Sequence, residues 1–133
     1  MADRIAGLSQ MVKDLVSGLE LDFRRRQWLP FSTNAKVKEC IVWRGPCFVK
    51  TITGYNAGAQ TWYGQAFNSP FAVIEGANTV LPPLIMAAGQ KDFFDADGMF
   101  FDKGLYLCGS STDVAKTIIT TNDLFFYGLY RPA

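Results

Sequence analysis

GMFFDKGLYLCGSSTDVAKTIITTNDLFFYGLYRPA, residues Gly98–Ala133, is the stretch with the clearest signal for a fold class. It holds three apolar runs of strand length: Met99–Cys108, Val114–Ile119 and Leu124–Tyr130. Two segments rich in Ser, Thr, Asp, Asn and Gly, residues 109–113 and 120–123, separate these runs. Apolar runs divided by turn residues are typical of consecutive antiparallel strands with tight connections. This end of the chain therefore predicts a mainly β protein.

The chain upstream continues this pattern from residue 37. Gly, Pro and Asn interrupt it at intervals of roughly ten residues, which leaves strand candidates at residues 37–44, 47–54, 59–67 and 84–87. We expect Lys91–Phe94 to pair with Met99–Leu107 as a hairpin whose turn is Asp95–Gly98. Seven or eight short strands in this region predict an antiparallel β-sandwich or jelly-roll-like barrel over residues 35–133.

Length and composition indicate one globular domain without a strong charge. The chain has 133 residues, of which 49% are hydrophobic, 14% aromatic and 19% charged. A chain of this length can bury most of its apolar residues in a single core. The net charge of +1 gives no general attraction to nucleic acid or to a membrane surface. We therefore expect neither as a partner.

The sequence contains no histidine. This excludes catalytic triads, general bases and metal sites that depend on an imidazole. Ser110, Ser111 and Thr112 are rich in hydroxyls, but no base is visible that would activate them as nucleophiles. We predict that the protein is not an enzyme and holds no cofactor.

The three cysteines, Cys40, Cys47 and Cys108, are widely spaced and form no C-x-x-C motif. Buried thiols in a reducing compartment are the simpler interpretation, and the sequence cannot select a disulfide. Charged residues interrupt the N-terminus, so it lacks the apolar core of a signal peptide. We expect a soluble protein that is made in the cytoplasm.

Residues 3–21 form the predicted N-terminal helix. Its apolar stripe follows alternating steps of three and four residues, through Ile5, Leu8, Val12, Leu15 and Leu19. Gly7 and Gly18 weaken its interior by about 1 kcal/mol each relative to alanine. Such a helix needs a partner surface. That surface is either the chain's own sheet or the same helix of neighbouring copies, and the sequence leaves both open.

Residues 20–34 resemble a connecting arm. Arg24, Arg25 and Arg26 are adjacent and cannot share one buried face, so most of them must meet water or an acidic partner. Trp28 and Phe31 flank a Leu-Pro pair that favours extended geometry. The arm either reaches a neighbouring subunit or packs on its own domain. We predict two parts: residues 1–34 as helix and arm, and residues 35–133 as the β domain.

Two further groups of residues have a functional and a structural interpretation. The acidic cluster of Asp92, Asp95, Asp97 and Asp102 includes a D-x-D-G motif, but it lacks the remaining ligands of a calcium loop. We therefore interpret it as turn chemistry and predict no metal site. A set of large aromatic residues either fills the core or lines a carbohydrate-binding face: Trp43, Trp62, Tyr63, Tyr106, Tyr127 and Tyr130.

Residues 46–131 resemble small virion structural proteins of tailed bacteriophages. The resemblance rests on Gly104–Leu107, the Ser110–Thr112 turn, the Lys116–Thr117 pair and the aromatic run Asn122–Tyr130. The segment Tyr55–Ala59 followed by Trp62 and Tyr63 is similar to the earlier part of those proteins. The helix and the arm lie outside the resemblance.

This resemblance implies a capsid cement or decoration protein that staples neighbouring capsid subunits; the alternative is a tail, neck or fibre component that binds a receptor or carbohydrate. Its implied partner is the major capsid protein or another virion protein, within a homo-oligomer for which a trimer is our expectation. Its implied location is the virion, after synthesis in the host cytoplasm. The predicted protein interface comprises Ile5, Leu8, Val12, Leu15, Leu19, Arg24, Arg25, Arg26, Trp28 and Phe31.

Overall fold

The computed structural model describes residues 9–16 and 27–133. Residues 9–16 are helical, inside the predicted range of 3–21. Residues 27–133 contain eight strands: β1 (Leu29–Ser32), β2 (Glu39–Arg44), β3 (Cys47–Asn56), β4 (Trp62–Asn68), β5 (Leu84–Met86), β6 (Lys91–Phe101), β7 (Gly104–Ser110) and β8 (Leu124–Pro132). The strands form two four-stranded sheets: sheet I in the order β1-β8-β3-β6 and sheet II in the order β2-β7-β4-β5. The predicted mainly β, antiparallel sandwich is confirmed.

The strand pairing is nested. β1 pairs with β8, β2 with β7, β3 with β6 and β4 with β5, all antiparallel. This is the pairing of one long hairpin that has been rolled up, and the further pairs β3–β8 and β4–β7 close the roll into two sheets. The fold is therefore a jelly roll, an eight-stranded arrangement of two Greek keys.

The core lies between the two sheets and is built by alternate residues of each strand. Val49 and Ile52 of β3, Leu105 and Leu107 of β7, and Phe126 of β8 are at most 2% exposed. Each such side chain contributes roughly 1.5–3 kcal/mol to the free energy of unfolding when it is fully buried. The apolar residues that recur with a period of two in the sequence are thus the side chains that point into the space between the two sheets.

The predicted hairpin between Lys91–Phe94 and Met99–Leu107 is wrong. Residues 91–101 form one strand, β6, which pairs with β3 before and after an irregularity. Residues 96–98 loop out of the pairing opposite Lys50, and Asp97 and Gly98 adopt φ angles of 50° and 81°. The preference of Asp-Gly for positive φ was recognised correctly, but it serves a β-bulge, because Phe100 and Phe101 continue to pair with β3.

The three C-terminal apolar runs are not consecutive strands of one sheet. β7 belongs to sheet II and β8 to sheet I. The run Val114–Ile119 forms no strand and makes only two isolated bridges, Asn78↔Ala115 and Ser110↔Ile118. It lies over the outer face of sheet II, where Lys116 is buried, and at its end Ile119 packs into the core between the two sheets.

Part of the predicted arm belongs to sheet I. Leu29–Ser32 is strand β1, which pairs with β8 from Leu29↔Tyr130 to Ser32↔Tyr127. Residues 20–26 of the arm lie outside the described residues. The division of the chain into residues 1–34 and 35–133 as separate folding parts stays a prediction.

Gly128 lies where β8 passes closest to β3. A Cβ atom at this position would collide with the carbonyl oxygen of Thr51 and lie 3.0 Å from the Phe31 ring. We expect Gly128→Ala to lower the free energy of unfolding by about 3 kcal/mol, because backbone cannot give way as a side chain does. Urea unfolding of the purified variant measures this.

Gly89→Ala is the control for this prediction. Gly89 has open space around it and a φ of 71°, so alanine there meets backbone strain but no neighbouring atom. Its expected loss is about 1 kcal/mol. A loss at Gly128 no larger than at Gly89 would contradict the close approach of β8 to β3.

Candidate protein-binding surface

The predicted interface residues lie partly within the described chain. Val12 and Leu15 are on the helix, and Trp28 and Phe31 are at the start of sheet I. The other six lie outside the described residues: Ile5, Leu8, Leu19, Arg24, Arg25 and Arg26.

The helix over residues 9–16 exposes an apolar side. Met11, Val12, Leu15 and Val16 are exposed to 67%, 59%, 65% and 48% of their surface. The helix is too short to be stable alone in water. An uncovered stripe of this kind indicates a surface that a partner covers.

Trp28 packs on its own sandwich. The guanidinium of Arg131 lies 4.8 Å from the centre of the Trp28 ring and 4.9 Å from that of Phe48, so the cation sits between two rings. Each such contact contributes about 0.5–1 kcal/mol near a protein surface. Contact of Trp28 with another subunit stays a prediction.

Phe31 faces inward. It packs against the core, and its ring lies edge-on to Tyr130 with 6.1 Å between ring centres. Tyr130 in turn contacts Trp43 of β2 at 5.8 Å, which links the two sheets at this end. The contacts of Phe31 in the described chain are thus intramolecular, and its role in an interface stays a prediction.

The outward side of sheet I carries aromatic residues on three of its four strands, β3, β6 and β8. The registers place Phe93, Thr53 and Tyr127 in one row, and Phe48 next to Phe100 in another. Phe93, Phe100 and Tyr127 are 70%, 51% and 38% exposed. We call this surface the aromatic face; its large side chains are Trp28, Phe48, Tyr55, Phe93, Phe100, Phe125, Tyr127 and Leu129.

The rings of the aromatic face contact one another. Phe48 and Phe100 have ring centres 5.1 Å apart, and Tyr55 and Phe125 have theirs 6.2 Å apart. Antiparallel sheets that pack on one side usually present polar residues on the other. A surface of adjoining rings in that position indicates a site of contact with another molecule.

The charges on the aromatic face are of both signs. Lys50 forms an ion pair with Asp97 at 3.0 Å, and this hydrogen bond raises the pKa of the lysine. Lys91 and Asp95 are exposed on the neighbouring rows. The face therefore has no strong preference for an acidic or a basic partner.

The aromatic residues proposed as a carbohydrate platform do not share a surface. Tyr106 is buried on the outer side of sheet II, and Trp62 packs against the core and donates from its indole nitrogen to Asp123 at 3.0 Å. Tyr130 faces inward with Phe31, whereas Tyr127 lies on the aromatic face. The structure does not bring this set together.

The outer side of sheet II differs from the aromatic face because two connecting segments cover it. Residues 69–80 and 111–119 are joined there by the bridge Asn78↔Ala115. The amide nitrogen of Gln65 donates to the carbonyl oxygens of Thr112, Asp113 and Ala115 at 3.1–3.3 Å. These bonds fix the second segment on the sheet.

Lys116 is the centre of this cover and is only 5% exposed. Its ammonium donates to the carbonyl oxygen of Val73 at 2.7 Å and to the hydroxyl of Tyr106 at 2.9 Å. The Tyr106 hydroxyl donates to Glu39, whose carboxylate lies 3.9 Å from the ammonium. Burial and the hydrogen bond to Glu39 raise the pKa of Tyr106. The group is fully bonded, which is the arrangement of a structural clamp.

All three cysteines are free thiols. Burial is the main cause that raises the pKa of Cys40 to about 12, of Cys47 to about 11 and of Cys108 to about 12. Thiols with such values stay protonated at neutral pH and react slowly. Cys47 and Cys108 are buried as predicted, whereas Cys40 is partly exposed.

Each aspartate of the acidic cluster accepts a hydrogen bond within the protein, and Asp97 accepts its own from Lys50. Asp92 accepts from the backbone amide of Ile85, Asp95 from that of Asp97, and Asp102 from the side chain of Asn68. Within residues 9–16 and 27–133, no three His, Cys, Asp or Glu side chains are grouped so that they could hold a metal ion. The aspartates shape the bulge and the loop ends.

A groove of about 610 Å³ runs beside the edges of β1 and β2. It is open to solvent and lined by Pro30, Phe31, Ser32, Thr33, Asn34, Val37, Cys40, Ile41 and Val42.

In the part of the chain that the structure describes, no helix is long and apolar enough to cross a membrane.

No protein-family model and no curated protein matches the chain. The structure is similar to the tobacco streak virus coat protein, with 9% sequence identity and a TM-score of 0.41 over 80% of this chain and 87% of that chain. A dimer structure of the same coat protein gives 12% identity and a TM-score of 0.41, over 80% and 86%.

A third similar structure is a virus-like particle of the extra small virus of the giant freshwater prawn Macrobrachium rosenbergii. Its identity is 8% and its TM-score 0.37, over 78% of this chain and 75% of that chain. At these TM-scores the likeness carries no conclusion about what the chain does.

The clamp at Lys116 leads to a first test of this region. We expect Lys116→Met to lower the free energy of unfolding by about 2 kcal/mol, because the carbonyl of Val73 and the Tyr106 hydroxyl lose a charged donor. Lys36→Met is the control, since Lys36 is exposed. Equal stability of the two variants in urea unfolding would show that the clamp contributes nothing.

The raised pKa values of the cysteines predict a loss of stability in alkali. Their pKa values are higher in the folded chain than the ordinary value near 9, so the thiols ionise at lower pH in the unfolded chain than in the folded one. The contribution of the protonated thiols to the free energy of unfolding is therefore complete below pH 9 and is lost as the pH rises toward 12. At pH 10 each thiol should lower the free energy of unfolding by about 1 kcal/mol relative to pH 7.

Urea unfolding at pH 7, 8.5 and 10 measures this loss. A variant with Cys40, Cys47 and Cys108 replaced by alanine should be less stable at pH 7 but should depend less on pH, with Tyr106 supplying the remaining dependence. A pH dependence that is unchanged in the variant would assign the loss to other groups.

Proposed function

We propose that the chain is a non-enzymatic structural protein of a virion that works by binding other proteins. The aromatic face carries this proposal. Phe93 and Phe100 expose more than half of their surface on an otherwise ordered sheet. A face of adjoining rings is not needed to hold the sandwich together, and its exposure is unfavourable until a partner covers it.

The fold supports the proposal by analogy only. Eight-stranded jelly rolls are used in viral capsid domains and also in lectins, and a fold does not by itself assign a function. The resemblance of residues 46–131 to virion proteins of tailed bacteriophages favours the first of these uses. The residues that carry this resemblance belong to β3, β4, β7, β8 and the clamp around Lys116.

In its specific form, the proposal is a cement or decoration protein that binds the major capsid protein and staples neighbouring capsid subunits. A second apolar surface, on the opposite side of the sandwich, supports this role. Phe71, Ile74 and Ile118, on the segments that cover sheet II, are 64%, 81% and 52% exposed. A staple built from several copies needs two such surfaces, because one must bind the capsid while the other joins the copies to one another.

Many weak contacts of this kind add up on a closed shell. Each copy buries a modest area, but linked copies bind with a much higher effective concentration than single ones. A homo-oligomer, for which we propose a trimer, presents several equivalent surfaces at once. The protein would then reside in the virion, and the net charge of +1 fits a position away from packaged nucleic acid.

Removal of residues 1–26 tests the role of the N-terminal segment. We expect the truncated chain to keep its β structure, since β1 begins only at Leu29, and to lose binding to capsids of the same virus that lack the protein. Circular dichroism and thermal unfolding check the fold, and co-sedimentation with the capsids checks binding.

Full-length protein carrying Lys36→Met serves as the binding control. It should still co-sediment with capsids, because Lys36 is exposed and lies outside the removed residues 1–26. Capsid occupancy by the truncated chain equal to that of the full chain would contradict a role for the N-terminal segment in attachment.

A further inference from the structure

We propose that the aromatic face of sheet I is the docking site for the N-terminal helix of a second copy of this chain. The described part of that helix is residues 9–16, with Met11, Val12, Leu15 and Val16 on its apolar side. This inference deepens the proposed function and rests on it, because it names the surface through which copies associate.

The aromatic face has the size that a helix requires. Four strands about 4.8 Å apart give a surface roughly 15 Å wide, and a helix with its side chains is about 10 Å across. Phe93 lies on the β6 side of this surface and Tyr127 on β8, with Thr53 between them. The small Thr53 leaves a depression between two larger rings.

The helix presents a matching surface. Residues 11 and 15, and residues 12 and 16, are four positions apart, and residues 12 and 15 are three apart, so their side chains form one continuous stripe. Gln10 donates to Asp14 at 2.9 Å on the polar side, where both remain in water. Aliphatic side chains on one element and flat rings on the other bury apolar area without leaving a charge unpaired.

Charge supports a copy of the same chain as the occupant. The chain has a net charge of +1, so copies do not repel one another strongly. The Lys50–Asp97 pair neutralises the charges beside the bulge. A strongly acidic or basic partner would find no complementary field on this face.

The path of the chain also supports exchange between copies. Trp28 lies on the aromatic face beside β1, so the described sandwich begins at the margin of this face. The eleven residues 17–27 can span up to about 35 Å when extended. In the structure the helix is exposed on all of its described residues and does not cover its own sheet.

Each copy therefore offers one uncovered stripe and one uncovered face. When each copy gives its helix to the next copy around a closed ring, both are covered on every chain and the assembly is closed, as in exchanged homo-oligomers. Each copy then takes part in two such contacts, one through its helix and one through its aromatic face.

Cysteine cross-linking between differently tagged chains tests the proposal. Val12→Cys on one chain and Phe93→Cys on the other should give disulfide-linked heterodimers in high yield after mixing. Cys47 and Cys108 are buried, and Cys40, which lines the open groove, is replaced by serine in every variant so that it does not compete. Ile74→Cys is the matched control: it is 81% exposed but lies on the opposite side, and it should give no product with Val12→Cys.

The mass in solution gives an independent reading. The full chain should be oligomeric at micromolar concentration. Leu15→Asp should raise the dissociation constant of the oligomer at least tenfold and so favour the monomer. Ile74→Asp should leave the chain oligomeric. An intrachain disulfide with a monomeric mass in the Val12→Cys, Phe93→Cys double variant would overturn the proposal. Absence of any disulfide between these positions would also overturn it.

These measurements contain no capsids, so they separate the two proposals. A chain that stays monomeric but binds capsids overturns this inference and leaves the proposed function intact. A chain that exchanges its helix but never binds capsids supports this inference and removes the proposed function.

Discussion

β3 pairs with β8 from Cys47↔Pro132 to Asn56↔Leu124, and on its other side it pairs with β6. The sandwich depends on this central strand, which joins the early part of the chain to its last strand. Its inward residues fill the core, while its outward residues Phe48 and Tyr55 begin the aromatic face. Because such pairs are far apart in sequence, their closure is entropically costly and is repaid only when both sheets have formed.

Much of the fold could be predicted from the period of two in the apolar residues and from the turn residues between them. The assignment of strands to sheets could not, because β7 and β8 look alike in sequence and separate only through pairing with distant partners. The Asp95–Gly98 segment was misread for a related reason. A bulge and a hairpin turn both favour Asp-Gly, and only the pairing of Phe100 with Phe48 distinguishes them.

The interface could be predicted only in part. Heptad spacing led to Val12 and Leu15, which are exposed on the helix. The aromatic face was missed, although part of its signal is present: in β8 the outward Phe125, Tyr127 and Leu129 alternate with inward residues, so this strand is apolar on both sides. A strand that is apolar on both sides is typical either of a sheet that is covered on both sides or of a sheet with a binding surface. The sequence alone does not show that sheet II is covered by its own loops and sheet I is not.

The bulge in β6 has a consequence for the size of any assembly. β6 is one edge of sheet I, and the looped-out residues 96–98 interrupt the backbone groups that an incoming strand would need. The other edge is β1, where Pro30 has no amide hydrogen to offer. Both borders of sheet I are therefore poor templates for an added strand, which disfavours the edge-to-edge growth of copies into fibrils.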